Sequence, residues 1–196
     1  MKIRIYKILK HTSVEGPGVR YCIWFQGCSR HCKGCFAEAT WAKDGGNEFD
    51  AEDILSDILS CKNIEGVTFL GGEPFEQPQA LEFLSKNAKN AGLSVLCFTG
   101  GKIEELQKQY PKILKNIDLL IDGEFRADEK DFSRPWVGSK NQRYHFLTEK
   151  YDESILTKYK NKIEVNIKKN GTMFINGMGD FDKLNQSLKS CMLTKH

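Results

Sequence analysis

The chain has 196 residues, and its 29 lysines and arginines against 26 aspartates and glutamates leave a formal net charge of +3. That length supports one domain with its own core plus an elaboration, and charge scattered without a basic block excludes nucleic acid as the expected partner. The opening Met1 to Ile8 alternates charged with apolar residues, and no segment approaches the length of a bilayer span, so a cytoplasmic protein without membrane contact is expected.

In chain order, Lys2 to Ile8 and Tyr21 to Phe25 have strand patterns, separated by the turn-rich Glu15-Gly16-Pro17-Gly18. Asp50 is placed to cap a helix whose apolar face is Ile54, Leu55, Ile58 and Leu59. Val67 to Leu70 is a short apolar run ending in Gly71-Gly72, the pattern of a buried parallel strand. Pro78 opens a helix faced by Leu81, Leu84 and Ala88 and stopped by Gly92. Leu93 to Phe98 then reads as a strand, Lys102 to Gln109 as a helix and Ile117 to Ile121 as a strand, followed by a long loop over Asp128 to Asn141. Strands alternating with helices indicate right-handed βαβ units and a parallel sheet. Ile163, Val165 and Ile167 alternate with polar residues up to Asn170-Gly171, and Thr172 to Ile175 runs back, which is a hairpin pattern. A last amphipathic helix is expected with Phe181, Leu184 and Leu188 on one face.

Seven cysteines, an odd number, fit a reducing compartment better than a disulfide framework. Cys22, Cys61, Cys97 and Cys191 are dispersed and read as small core residues. Cys28, Cys32 and Cys35 instead form a CxxxCxxC group in a loop directly after a strand. Three thiolates suit a cubane iron-sulfur cluster with one iron left open to a small molecule. A zinc site is the other reading, with His31 or a distant cysteine as fourth ligand, although only one CxxC pair is present. Phe36 and Trp41 are expected to pack this loop against the body of the protein.

These cysteines, with Gly71-Gly72-Glu73-Pro74 at the end of the next strand, resemble the radical S-adenosylmethionine superfamily, whose members carry CxxxCxxC after the first barrel strand and a GGEP segment. Glu15-Gly16-Pro17-Gly18-Val19-Arg20, Gly34, the run Ile121 to Phe125 and the run Trp136 to Arg143 are similar to the activating proteins of anaerobic, glycyl-radical ribonucleotide reductases. The resemblance covers about the first three quarters of the chain, and Glu124 departs from it, because members often carry a different, sometimes basic, residue there. It implies a 4Fe-4S cluster on Cys28, Cys32 and Cys35, and S-adenosylmethionine against Gly71, Gly72, Glu73 and Pro74, with Gly34 near the adenine. A carboxylate at Glu73 can accept from the cofactor's ammonium. Thr99 and Asp122, at strand ends, are candidates to line the same mouth; for Asp122 a turn-forming Asp-Gly is an equal reading.

The expected fold is α/β, an incomplete (βα) barrel over residues 1–150, with a small elaboration of hairpin and helix over 151–196 that docks a partner or covers a sheet edge. The expected function, by resemblance, is reductive cleavage of S-adenosylmethionine to a deoxyadenosyl radical that generates a glycyl radical on an anaerobic ribonucleotide reductase. The electron would come from a flavodoxin or ferredoxin. A radical enzyme acting on a small molecule or peptide is the alternative, and a non-enzymatic iron-sulfur or zinc module is a third reading.

Overall fold

The computed structural model describes residues 1–167, 169–180, 183, 184 and 186. The main sheet contains β1 (Lys2–Thr12), β2 (Arg20–Phe25), β3 (Asn47–Asp50), β4 (Gly66–Gly71), β5 (Ser94–Phe98), β6 (Leu119–Asp122) and β7 (Arg143–Phe146), in the order β3-β1-β2-β4-β5-β6-β7. β2, β4, β5 and β6 pair in parallel. β1 and β3 extend the sheet antiparallel on one side, and β7 does so on the other. The order is linear, so the sheet stays open with β3 and β7 at its edges, an incomplete (βα) barrel as the alternation indicates.

Parallel neighbours need long crossovers, and helices provide them. α1 (Ala51–Ser60) precedes β4, α2 (Pro78–Asn90) links β4 to β5, and α3 (Ile103–Gln109) with α4 (Pro111–Leu114) links β5 to β6. Odd-numbered β2 residues Tyr21, Ile23 and Phe25 join Val67, Phe69, Val95 and Cys97 in one core against Ile54, Ile58, Leu81 and Leu84 of the helices. Alternate residues point the other way: Leu96, Leu119 and Ile121 pack against Trp136, Val137 and Tyr151 on the opposite face. α5 (Ser154–Lys158) adds Ile155 and Leu156 to that second cluster.

The expected hairpin is present as β8 (Ile163–Ile167) and β9 (Met173–Gly177), a separate two-stranded sheet. It is tied to the N-terminal segment, where Asn176 Nδ2 donates to Thr12 Oγ1 at 3.1 Å and the Gly177 N–H donates to Glu15 Oε1 at 2.7 Å. Of the expected last helix, Lys183, Leu184 and Gln186 are described and helical, whereas Phe181 and Leu188 lie outside the described residues, as does Cys191. No helix among the described residues is long and apolar enough to cross a membrane.

Three local expectations change. Asp50 occupies the N-cap position of α1 but makes no capping bond, because its carboxylate accepts from Lys2 Nζ at 2.9 Å instead. Cys61 packs at the margin of the core and not within it: it lies at the end of α1, partly exposed, with Sγ 3.5 Å from both the Lys10 carbonyl and His11 Nε2. Phe36 is 49% exposed and touches the rest of the protein through Phe125, with ring centroids 5.6 Å apart.

Candidate functional site

The C-terminal ends of β2, β4 and β5 open onto a cavity of ≈ 490 Å³, within the range that holds cofactors. Its floor is the sheet face turned away from the helices. Trp24 of β2 lies opposite Leu70 of β4 in the parallel register, and Phe98 of β5 continues that face. Cys28, Cys32 and Cys35 line one side, while Gly71, Gly72, Glu73 and Thr99 line the mouth.

The cysteine loop has almost no regular structure, and backbone bonds hold it in place. Cys28 N–H donates to the Trp41 carbonyl at 3.1 Å and Gly27 N–H to the Thr40 carbonyl at 2.7 Å. His31, at φ 49°, lays its ring on Trp41 with centroids 4.7 Å apart, so it acts as a spacer within the loop and does not line the cavity. Burial pushes the Cys28 thiol up, while the backbone N–H groups of Arg30 and His31 pull it down. Cys32 is likewise pushed up by burial and eased by the Phe125 backbone N–H. The Ala37 N–H donates to Cys35 Sγ at 3.3 Å. At Cys28 and Cys32 burial outweighs these backbone donors, so both thiols are held above their usual range. Among the described residues, no three His, Cys, Asp or Glu side chains gather closely enough to hold a single metal ion. A cubane makes a different demand, since each thiolate binds a different iron.

Glu73 is buried, with 3% exposure, and its two oxygens receive four donors. Oε1 accepts from the Phe75 N–H at 3.2 Å and from Thr99 Oγ1 at 2.8 Å. Oε2 accepts from Arg30 Nε at 3.0 Å and from the Gly100 N–H at 2.9 Å. Pro74 begins the short turn that presents the Phe75 N–H, and it is buried behind the cavity wall. The glycines beside it answer to the protein itself. Gly71 has φ +102°, and a Cβ there would come within 2.6 Å of Trp24 Cα; one on Gly72 would collide with the Gly27 carbonyl. Gly34, at φ +73°, faces Ala127 and lies outside the cavity lining.

Asp122 also lies outside that lining. Its carboxylate is committed to the Ile103 N–H at the start of α3 (2.8 Å), to Arg143 Nε (2.9 Å) and to His145 Nε2 (3.1 Å). Burial pushes this carboxyl up, but those partners outweigh it and hold it well below the usual carboxylate range. The geometry matches neither of its two readings: Asp122 fastens α3 and β7 to β6. Asn141 and Arg143 also lie outside the lining, Arg143 reaching Glu104 at 2.8 Å, whereas Gln142 lines the cavity while its Oε1 accepts from the Gly138 N–H at 2.8 Å.

Sequence reasoning missed three contributors. Arg30 lines the cavity from inside the cysteine loop, Glu15 reaches it from the Gly-Pro-Gly segment, and Phe174, Ile175 and Asn176 of β9 build one wall. Only Glu15 had a local signal, its place in the Glu15 to Gly18 turn. The Gly-Pro-Gly segment itself is fixed by Arg20, a fully buried guanidinium that donates to the Pro17 carbonyl, Thr68 Oγ1, Ser94 and the Val67 carbonyl.

A loop of three thiols at the mouth of a parallel sheet defines an iron-sulfur class of protein, and comparison with known proteins agrees. Residues 14–145 match the family described as a 4Fe-4S single cluster domain. Over 142 residues the chain is 32% identical to the anaerobic ribonucleoside-triphosphate reductase-activating protein of Escherichia coli K12, an alignment covering 68% of this chain and 92% of that protein. The protein of the same name from Enterobacteria phage T4 is 33% identical over 66% of this chain and 85% of its own length. The pyruvate formate-lyase-activating enzyme of Clostridium pasteurianum is 37% identical over 60% of this chain and 50% of that enzyme. The chain belongs to the 4Fe-4S single cluster domain family and, within it, to the anaerobic ribonucleoside-triphosphate reductase-activating proteins.

Proposed function

We propose that this chain is a radical S-adenosylmethionine enzyme that activates an anaerobic ribonucleotide reductase, with its 4Fe-4S cluster on Cys28, Cys32 and Cys35. The carrying observation is that these three thiols share one cavity with the Glu73 carboxylate. The donor set fits: soft thiolates for iron, a shielded anion for an ammonium, and aromatic walls for an adenosyl group. When bound, the cluster and S-adenosylmethionine together supply one-electron reduction of the sulfonium, giving methionine and a deoxyadenosyl radical able to take hydrogen from a glycine of the partner.

The chain's own residues do the rest. Backbone bonds at Gly27, Cys28 and Cys35 set the shape of the cysteine loop. Glu73 orients the cofactor's amino group, Thr99 and the Gly100 N–H orient Glu73, and Gly71, Gly72 and Pro74 hold that strand end against β2. Gly34, at φ 73°, gives the cysteine loop a left-handed backbone turn between Cys32 and Cys35. Trp24, Phe98 and the β9 wall keep water from the radical. We divide the chain functionally into residues 1–150, which bear the cysteine loop and cofactor contacts, and 151–196, which complete the cavity wall. A flavodoxin or ferredoxin in the cytoplasm is the electron source that this reading requires.

Anaerobic reconstitution tests the assignment. Cys28→Ala, Cys32→Ala and Cys35→Ala should each abolish reductive cleavage and deplete bound iron, while Cys61→Ala should retain both. Full cleavage in any of the first three would remove that residue from the cluster. Electron paramagnetic resonance with the candidate reductase should then show a glycine-centred radical; deoxyadenosine formed only with a small molecule or peptide would favour the alternative enzyme.

A further inference from the structure

A carboxylate offers about four acceptor positions, and in Glu73 all four are filled. The reading that Glu73 receives the cofactor's ammonium, on which this inference rests, therefore requires one donor to leave. Three are fixed. The Phe75 and Gly100 N–H groups are backbone, and Thr99 Oγ1 is held by accepting from the Gly101 N–H at 2.9 Å. The fourth, Arg30, sits on a long side chain rising from the cysteine loop, 29% exposed. Its NH1 already reaches Glu124 Oε1 at 3.1 Å, and Glu124 is 57% exposed. A Cβ on Gly100 would collide with the Arg30 side chain, so that glycine makes room for the side chain to lie across the mouth.

We propose that Arg30 is a built-in competitor for the cofactor's amino group, closing Glu73 in the cofactor-free protein and passing to Glu124 when S-adenosylmethionine binds. Two cations compete for one anion, and each excludes the other from the same oxygen. Glu124, already within reach of the Arg30 guanidinium, is the resting place that makes the exchange easy. Because binding requires the minor arrangement with Glu73 free, affinity is lowered in proportion to how seldom that arrangement occurs. Arg30 and Glu124 thus set the cofactor affinity of this chain without forming part of the reacting group.

The test is S-adenosylmethionine affinity, measured by isothermal titration calorimetry on anaerobically reconstituted protein with the cluster oxidised, where no cleavage occurs. Arg30→Gln should bind roughly 3- to 5-fold more tightly, the range of a part-exposed ion pair. Glu124→Gln should bind more weakly by a similar factor, because the guanidinium then stays on Glu73. The double variant should behave as Arg30→Gln alone, since Glu124 acts only through Arg30. Unchanged binding in Arg30→Gln would overturn the exchange, and weaker binding would make Arg30 a direct contact for the cofactor's carboxylate. Should Arg30→Gln fail to load a cluster, Glu124→Gln, outside the cysteine loop, decides the matter alone. Glu73→Gln separates the two layers of argument: unaltered affinity there defeats the ammonium reading itself, whereas weakened affinity with no gain in Arg30→Gln defeats only the exchange.

Discussion

Arg20 shows how far a single buried charge can organise its surroundings. It is fully buried, and its guanidinium reaches six acceptors, all of them neutral, one being Tyr151 Oη, which in turn donates to Glu65 at 2.5 Å. Gly16 is needed beside it, since a Cβ there would stand 2.6 Å from Arg20 Cδ. Arg20→Met keeps the stem but strands those acceptors, and removing one side of such a buried network costs on the order of 3 kcal/mol. Urea denaturation should show that loss; a change below about 0.5 kcal/mol would mean that water replaces the guanidinium. The sequence exposed this residue only as the end of a motif. Its burial is invisible locally, because the partners come from β4, β5 and residue 151. The same applies to Glu73, whose position in Gly-Gly-Glu-Pro was legible while its four donors, drawn from three segments of the chain, were not.

Elements with a strong internal pattern were readable. β4, β5 and β6 are continuous apolar runs because both sheet faces are covered, and α2 begins at its proline and ends at Gly92, whose φ of +82° suits the reversal. β3 and β7 were not readable. Asn47–Asp50 and Arg143–Phe146 are four residues each, mostly polar, and become strands through backbone pairing with β1 and β6 at the sheet edges. The β8–β9 hairpin was legible as a hairpin but not as part of the cavity, since that role depends on its docking to Glu15. Burial raises the Glu15 carboxyl to about 7, against the opposing pull of the Gly177 N–H, Asn176 and Lys7, with Glu164 adding to the rise. The folded state therefore holds this proton more tightly than the unfolded chain does. The resulting stabilisation is complete below about pH 4.5 and is lost as pH rises through about 7. Glu15→Gln removes the titration, so wild type should lose stability relative to the variant between about pH 5 and 8 in denaturation series. A pH-independent difference would show that Glu15 ionises as an ordinary glutamate.

On the scale of the whole molecule, the larger of the two hydrophobic clusters and the chemistry occupy opposite faces of one sheet. The core around Phe69, Leu81 and Leu84 draws nothing from the cysteine loop. Stripping iron with a chelator should consequently leave the far-ultraviolet circular dichroism and a cooperative thermal transition in place, unlike small domains that unfold without their metal. Loss of the transition would make the cluster a structural element. The docking of β9 has a further consequence for how the protein is made. Cys28, Cys32 and Cys35 leave the ribosome well over a hundred residues before Phe174 and Ile175, which close the wall beside them. Until those residues are made the cavity lacks that wall, and the thiols stay open to solvent on that side. Once β9 has docked, the cavity mouth is the route by which iron reaches the three thiols.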